Sequence, residues 1–201
     1  MEKTTSIPLG SRFDRAVIYA IHIHGGQARK GTTIPYVTHL FSVAALVLED
    51  GGDEDEAIGA LLHDAAEDQG GRPRLEDIRA RFGERVAQIV DFCTDTYYTP
   101  KPPYRQRKES YVAHLRDQTD QGALRVSLAD KLHNARCILF DARHLGDHLW
   151  QRFNAGKEDQ LWYHRSLLAA FRPVCHSPMV EEYERVVAEL EYVAKGAAET
   201  Q

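Results

Sequence analysis

The stretch Leu61-Leu62-His63-Asp64-Ala65-Ala66-Glu67-Asp68 decides how the rest of the chain is read. It continues a run in which Ala57, Ile58 and Ala60 recur at helical spacing, then turns abruptly from apolar residues to ionisable ones. On one continuous helix, predicted over 54–68 and capped by Asp53, His63 and Glu67 lie one turn apart, as do Asp64 and Asp68. The four side chains then share an arc of roughly 140°. Three carboxylates that close repel one another in a partly buried setting. A divalent cation relieves the repulsion, and so does plain solvent exposure at a helix end. Charge placement weighs against the second reading, because carboxylates at a helix C-terminus oppose the macrodipole.

Outward from this stretch the pattern stays helical. Phe13, Val17, Ala20 and Ile21 predict a first helix over 12–25, ended by Gly25-Gly26. A basic loop with Arg29-Lys30-Gly31 follows, and Pro35 suits the first turn of a helix carrying His39, Val43, Leu46 and Val47. Gly70-Gly71 and Pro73 are read as the stop after the ionisable group. Leu75, Ile78 and Phe82 form a short amphipathic helix, and Val86, Ile89, Val90 and Phe92 begin another. Pro100, Pro102 and Pro103 make 94–103 a loop, in which a hairpin around Tyr97 to Thr99 is weakly signalled. Further helices are predicted over 105–115, 123–140, 161–171 and 179–193. The expected fold is all-α and single-domain, a helical bundle with at most a minor β-hairpin.

Composition narrows the classes. Apolar residues make up 43% of the 201, enough for a proper core, and the net charge of −5 argues against broad nucleic-acid or anionic-membrane binding. Cys93, Cys137 and Cys175 are isolated, with no CxxC pair, which fits a reducing cytosol. Residues 1–10 have no apolar signal core, and no apolar run reaches about 18 residues. A soluble cytoplasmic protein is the expectation; oligomeric state is not legible.

Two more features bear on chemistry. In Val126-Ser127-Leu128-Ala129-Asp130-Lys131-Leu132-His133-Asn134, Asp130 interrupts an apolar run and Asn134 sits one turn later on the same face. His39 lies in a mostly apolar helix. Taken singly, an Asp in such a run is more often a salt-bridge partner, and a lone His a satisfied core residue.

Together, His39, His63-Asp64 and Asp130 resemble the H…HD…D signature of the HD-domain metal phosphohydrolases. Arg29-Lys30, Pro35-Tyr36, the HDxxED string 63–68, Phe82-Gly83 and the LADxLHNxR string ending at Arg136 follow in the order of one branch, the RelA/SpoT-type (p)ppGpp 3′-pyrophosphohydrolases. The similarity covers 13–171. It implies a tail over 1–11, an HD hydrolase domain over 12–172, and a C-terminal helix packed on that domain with a frayed end over 173–201. It implies one divalent ion, Mn²⁺ first and Fe²⁺ or Zn²⁺ next, held by His39, His63, Asp64 and Asp130. Glu67 and Asp68 match the family pair that orients or deprotonates the nucleophile. Arg29 and Lys30 are expected on the phosphates and Asn134 on the ribose or 3′-phosphate. Trp162 or Tyr163 is a candidate to stack on the base, although an aromatic at helical spacing is more often core. The implied activity is that of a stand-alone small alarmone hydrolase. The alternatives are an HD phosphatase acting on NADPH or a nucleoside monophosphate, and a silent nucleotide-binding module.

Overall fold

The computed structural model describes residues 7–196. The α-helices are α1 (Ser11–His24), α2 (Val37–Glu49), α3 (Glu54–Leu62), α4 (Ala65–Asp68), α5 (Gly71–Phe82), α6 (Glu84–Cys93), α7 (Tyr104–Arg116), α8 (Gln121–Leu145), α9 (Gly156–Phe171) and α10 (Met179–Gly196). A 3₁₀ segment, Gly146–Arg152, joins α8 to α9. No strand forms among the described residues; Ala28 and Pro35 make one isolated antiparallel bridge. The weakly signalled hairpin is therefore absent: proline at 100, 102 and 103 withholds the amide donors that a paired strand needs.

The bundle is organised around α3. Every residue from Glu56 to Leu62 is buried, so this helix is covered on all sides. Neighbours come close because of Gly59, where a Cβ would meet Ile89 Cγ2 of α6 at 2.7 Å. Asp53 starts the helix as the sequence predicts, its carboxylate accepting from the Glu56 amide at 2.9 Å. The long helix α8 crosses α2, α3 and α6, and α10 packs along it. One continuous apolar cluster runs from Ala16 on α1 to Leu190 and Ala194 on α10. The predicted frayed end lies outside the described residues beyond Gly196.

Three boundaries differ from the sequence reading. The helix expected over 54–68 is interrupted at His63 and Asp64, which form a turn between α3 and α4. The helical run does stop after Asp68, with Gln69 and Gly70 in a turn, but Gly71 and Pro73 are not part of the stop. Instead α5 begins at Gly71 and takes Pro73 into its first turn, where a missing N–H has no cost. The helix expected over 123–140 extends to Leu145, starting behind an Asp120 cap and stopping where Gly146 adopts φ +55°.

Candidate metal centre

The turn between α3 and α4 meets α2 and α8 at one point. α2 brings in His39, α8 brings in Asp130, and the turn itself supplies His63 and Asp64. His39 and His63 are almost completely inaccessible, and Asp130 is buried. His63 Nε2 lies 2.8 Å from Asp64 Oδ2 and 3.6 Å from Asp130 Oδ1. His39 Nε2 lies 3.2 Å from Asp130 Oδ1 and 3.6 Å from Asp64 Oδ2. His39, His63 and Asp130 each offer a donor atom within 4.8 Å of the others. Ligands bonded to one octahedral cation at about 2.1 Å are separated along an edge by about 3.0 Å, so these spacings fit a shared ion.

The donor set itself calls for a cation. His63 Nδ1 is 2.8 Å from the Ala60 carbonyl, which places a proton on Nδ1 and leaves Nε2 with its lone pair. The Nε2 atoms of His39 and His63 are both buried without a hydrogen-bond partner, and both face carboxylate oxygens. Lone pairs facing lone pairs in a buried site need a positive charge between them. Burial pushes the His63 imidazole down, but Asp64 and Asp130 outweigh it and raise its pKa well above the ordinary value. Conversely, burial pushes the Asp64 and Asp130 carboxyls up, while His63 beside Asp64 and Lys131 beside Asp130 hold both well below the usual range.

The surrounding groups fix these side chains. Tyr36 donates its hydroxyl to Asp64 Oδ2 at 2.6 Å, and burial and the adjacent carboxylate raise its pKa, keeping it a donor. Lys131 Nζ reaches Asp130 Oδ2 at 2.6 Å, and Asn134 Nδ2 donates to Asp130 Oδ1 at 2.5 Å. His39 Nδ1 sits 2.8 Å from His133 Nδ1. The sequence reading leaves Tyr36, Lys131 and His133 as members of their strings without a role. For His133 the signal was its position at i+3 from Asp130 on the same face of α8; Lys131, at i+1, gave no such signal.

Glu67 and Asp68 leave α4 beside this point. Glu67 Oε1 accepts from Lys101 Nζ at 2.6 Å and Oε2 from the Asp95 amide at 3.3 Å. Burial and the Asp95 carboxylate raise the Glu67 pKa, while Lys101 opposes them. Asp68 Oδ2 accepts from Gln27 at 2.8 Å. Two cavities flank the pair and share Asp68 in their walls. One, of about 820 Å³, is lined by Glu67, Thr94 to Thr99 and Lys101. The other, of about 720 Å³, has a largely apolar lining, with Ile34, Ile138, Phe140, Leu149 and Phe153, in which Arg29, Lys30, Lys108, Lys131, Arg136 and Arg152 outnumber Asp68 and Asp141.

The expected phosphate-contacting residues fall on that second wall. The Arg29 guanidinium donates to Asn134 Oδ1 at 2.7 Å, and Lys30 donates to Asn154 at 3.1 Å. Their loop is ordered by Arg29 N–H to Ile34 O at 2.8 Å and Tyr36 N–H to Gln27 O at 2.9 Å. Of the aromatic pair, Tyr163 lines the cavity with a buried, unpartnered hydroxyl. Trp162 is not among the lining residues; the Arg105 guanidinium covers its ring at 3.3 Å from the centroid. Adjacent residues on a helix face directions about 100° apart, so one ring turned to the cavity sends the other away.

A buried His39–His63–Asp130 cluster where helices converge, with the half-buried Asp64 beside it, defines a class of helical bundles able to hold a divalent metal. The HD domain family model matches residues 16–160, and the chain belongs to that family. It is 36% identical over 124 residues to the guanosine-3′,5′-bis(diphosphate) 3′-pyrophosphohydrolase MESH1 of Xenopus tropicalis, covering 60% of this chain and 66% of that one. It is 36% identical over 126 residues to the enzyme of the same activity name from Aquifex aeolicus, covering 62% of this chain and only 17% of the relative. Among solved structures, a metazoan SpoT ortholog that hydrolyses ppGpp superposes with a TM-score of 0.71 at 22% identity, covering 96% and 98% of the two chains. A Listeria monocytogenes protein superposes with a TM-score of 0.68 at 27% identity over 78% of this chain. None of the helices described is long and apolar enough to cross a membrane.

Proposed function

We propose that this protein is a divalent-cation-dependent hydrolase that removes the 3′-pyrophosphate of (p)ppGpp, releasing GDP or GTP and pyrophosphate. The observation that carries the reading is the meeting of His39, His63, Asp64 and Asp130 at one buried point, with two buried Nε2 atoms aimed at carboxylates. The relatives named for this reaction supply the substrate class.

The four residues would hold the cation, for which Mn²⁺ is the first candidate. When bound, it supplies Lewis-acid polarisation of a phosphoryl oxygen and increased acidity of water. Glu67 and Asp68 orient the attacking water and take its proton. Lys101 Nζ lies 2.6 Å from Glu67 Oε1 and 3.6 Å from Asp68 Oδ1, so the two carboxylates face one ammonium and the role is assigned to the pair rather than to one member. Glu67 suits the task because burial and Asp95 raise its pKa, favouring proton uptake, while Lys101 opposes the rise. Water adds at the phosphorus attached to ribose O3′, the O3′–P bond breaks, and O3′ takes up a proton. Arg29 and Lys30 neutralise phosphate charge from the cavity wall. Asn134 links Arg29 to Asp130 and so couples the phosphate-binding wall to the cation site. Of the two candidate aromatics, Tyr163 lines the cavity, buried and with the Lys108 ammonium over its ring.

The test is direct. Purified protein with Mn²⁺ and ppGpp is expected to release pyrophosphate, with no orthophosphate from NADPH or nucleoside monophosphates offered in parallel. Orthophosphate from one of those and no pyrophosphate from ppGpp would replace the substrate while keeping the centre.

A further inference from the structure

We propose that His133 sets how His39 presents itself to the cation, by accepting the proton on His39 Nδ1. The inference rests on the metal-centre reading above and adds a positioning residue to it. The two Nδ1 atoms are 2.8 Å apart, so one carries a proton and the other a lone pair. A His39 that gives its Nε2 lone pair to a cation carries its proton on Nδ1. His39 is then the donor and His133 the acceptor, with His133's own proton on Nε2, 3.7 Å from Cys137 Sγ. Histidine ligands generally need such an outer partner to fix ring orientation and tautomer.

The two histidines of the centre obtain that partner differently. His63 leans on the backbone carbonyl of Ala60, which no side-chain substitution removes. His39 leans on a single side chain. That side chain arrives with the ligand Asp130, three residues earlier on the same face of α8, and Asn134 follows it. α8 therefore delivers a ligand and the orienting group of a second ligand in one rigid piece. His133 also lines the cavity that holds Arg29 and Lys30, so it joins the cation site to that cavity wall.

The test compares His133→Phe, which keeps a flat ring without an acceptor, with His133→Asn, whose Oδ1 lies about where Nδ1 was. Chelator-stripped protein is titrated calorimetrically with Mn²⁺, and the Co²⁺ form is followed by its absorption spectrum. His133→Phe is expected to bind Mn²⁺ about 10–100-fold more weakly and to show an altered Co²⁺ spectrum. His133→Asn is expected to stay within about threefold of the native affinity, because it restores the accepting atom. If His133→Phe does not fold, His133→Gln, whose carbonyl falls near Nε2 rather than Nδ1, takes its place with the same expected loss. Native affinity in the acceptor-less variant overturns the proposal, and so does equal weakening in His133→Asn. Wild-type protein that binds neither cation would instead remove the centre itself.

Discussion

The floor of the site and its rim are built by different rules. The floor is helical and buried: His39, His63, Asp64 and Asp130 project from α2, the α3–α4 turn and α8, with helix α3 covered on all sides. The rim is made of loops and exposed helix ends: Arg29 and Lys30 before α2, and Lys101 in the proline-rich segment before α7. Floor side chains touch several fixed partners each, whereas Lys30 and Lys101 are held only by polar contacts at exposed positions. The contrast teaches a division of labour: substitutions in the floor should change the bound ion and the turnover number, and substitutions in the rim should change substrate affinity or pH response.

The largest effect is expected from Asp64→Ala, which should lose the ion in metal analysis of the purified protein and reduce pyrophosphate release to background. Retained ion and turnover would dissolve the distinction at its root. Next comes Glu67→Gln, expected to keep the ion and lower kcat about 10²–10⁴-fold, the ordinary contribution of general acid–base catalysis. Arg29→Ala belongs to the rim and should raise KM about tenfold, the scale of one charge-assisted hydrogen bond, with kcat largely preserved; a kcat-only effect would move Arg29 to the floor. Lys101→Met probes the boundary through pH. Burial and Asp95 raise the Glu67 pKa, and Lys101 holds it down, so removing the ammonium lets it rise further. Activity that needs the ionised carboxylate is present above that pKa and lost below it, so the acid limb of the pH–rate profile should move to higher pH. A limb that stays put would separate Glu67 from the rate-limiting proton. The smallest effect is expected from Trp162→Ala: with its ring covered by Arg105, KM should not change.

Legibility followed the same division. The floor could be read because apolar runs interrupted by His39, His63-Asp64 and Asp130 are rare events in helical periodicity, and because the strings around them resemble one family. The rim was only partly legible. A loop residue has no period to fix its direction, so nothing in the chain said that Lys101 turns to Glu67 or that Arg107 and Lys108 both pair with Asp95. The choice between Trp162 and Tyr163 was open for the same reason, since both sit on a half-apolar helix and tertiary packing selects one. Helix ends misled where punctuation was ambiguous: Gly70 sits in the expected stop, but Gly71 and Pro73, read with it, open the next helix. His63 and Asp64 carry no glycine or proline to announce a turn.

That unannounced turn has a consequence of its own. Because α3 ends at Leu62 and α4 starts at Ala65, the pair proposed to hold the ion, His63 and Asp64, and the pair proposed to orient water, Glu67 and Asp68, ride on separate short segments rather than one rod. A slight tilt of α4 against its neighbours would carry Glu67 and Asp68 toward or away from the scissile bond without loosening His63. Enlarging the wholly enclosed Ala65 or Ala66 would reset this tilt, and is expected to alter the placement of Glu67 and Asp68 more than that of His63.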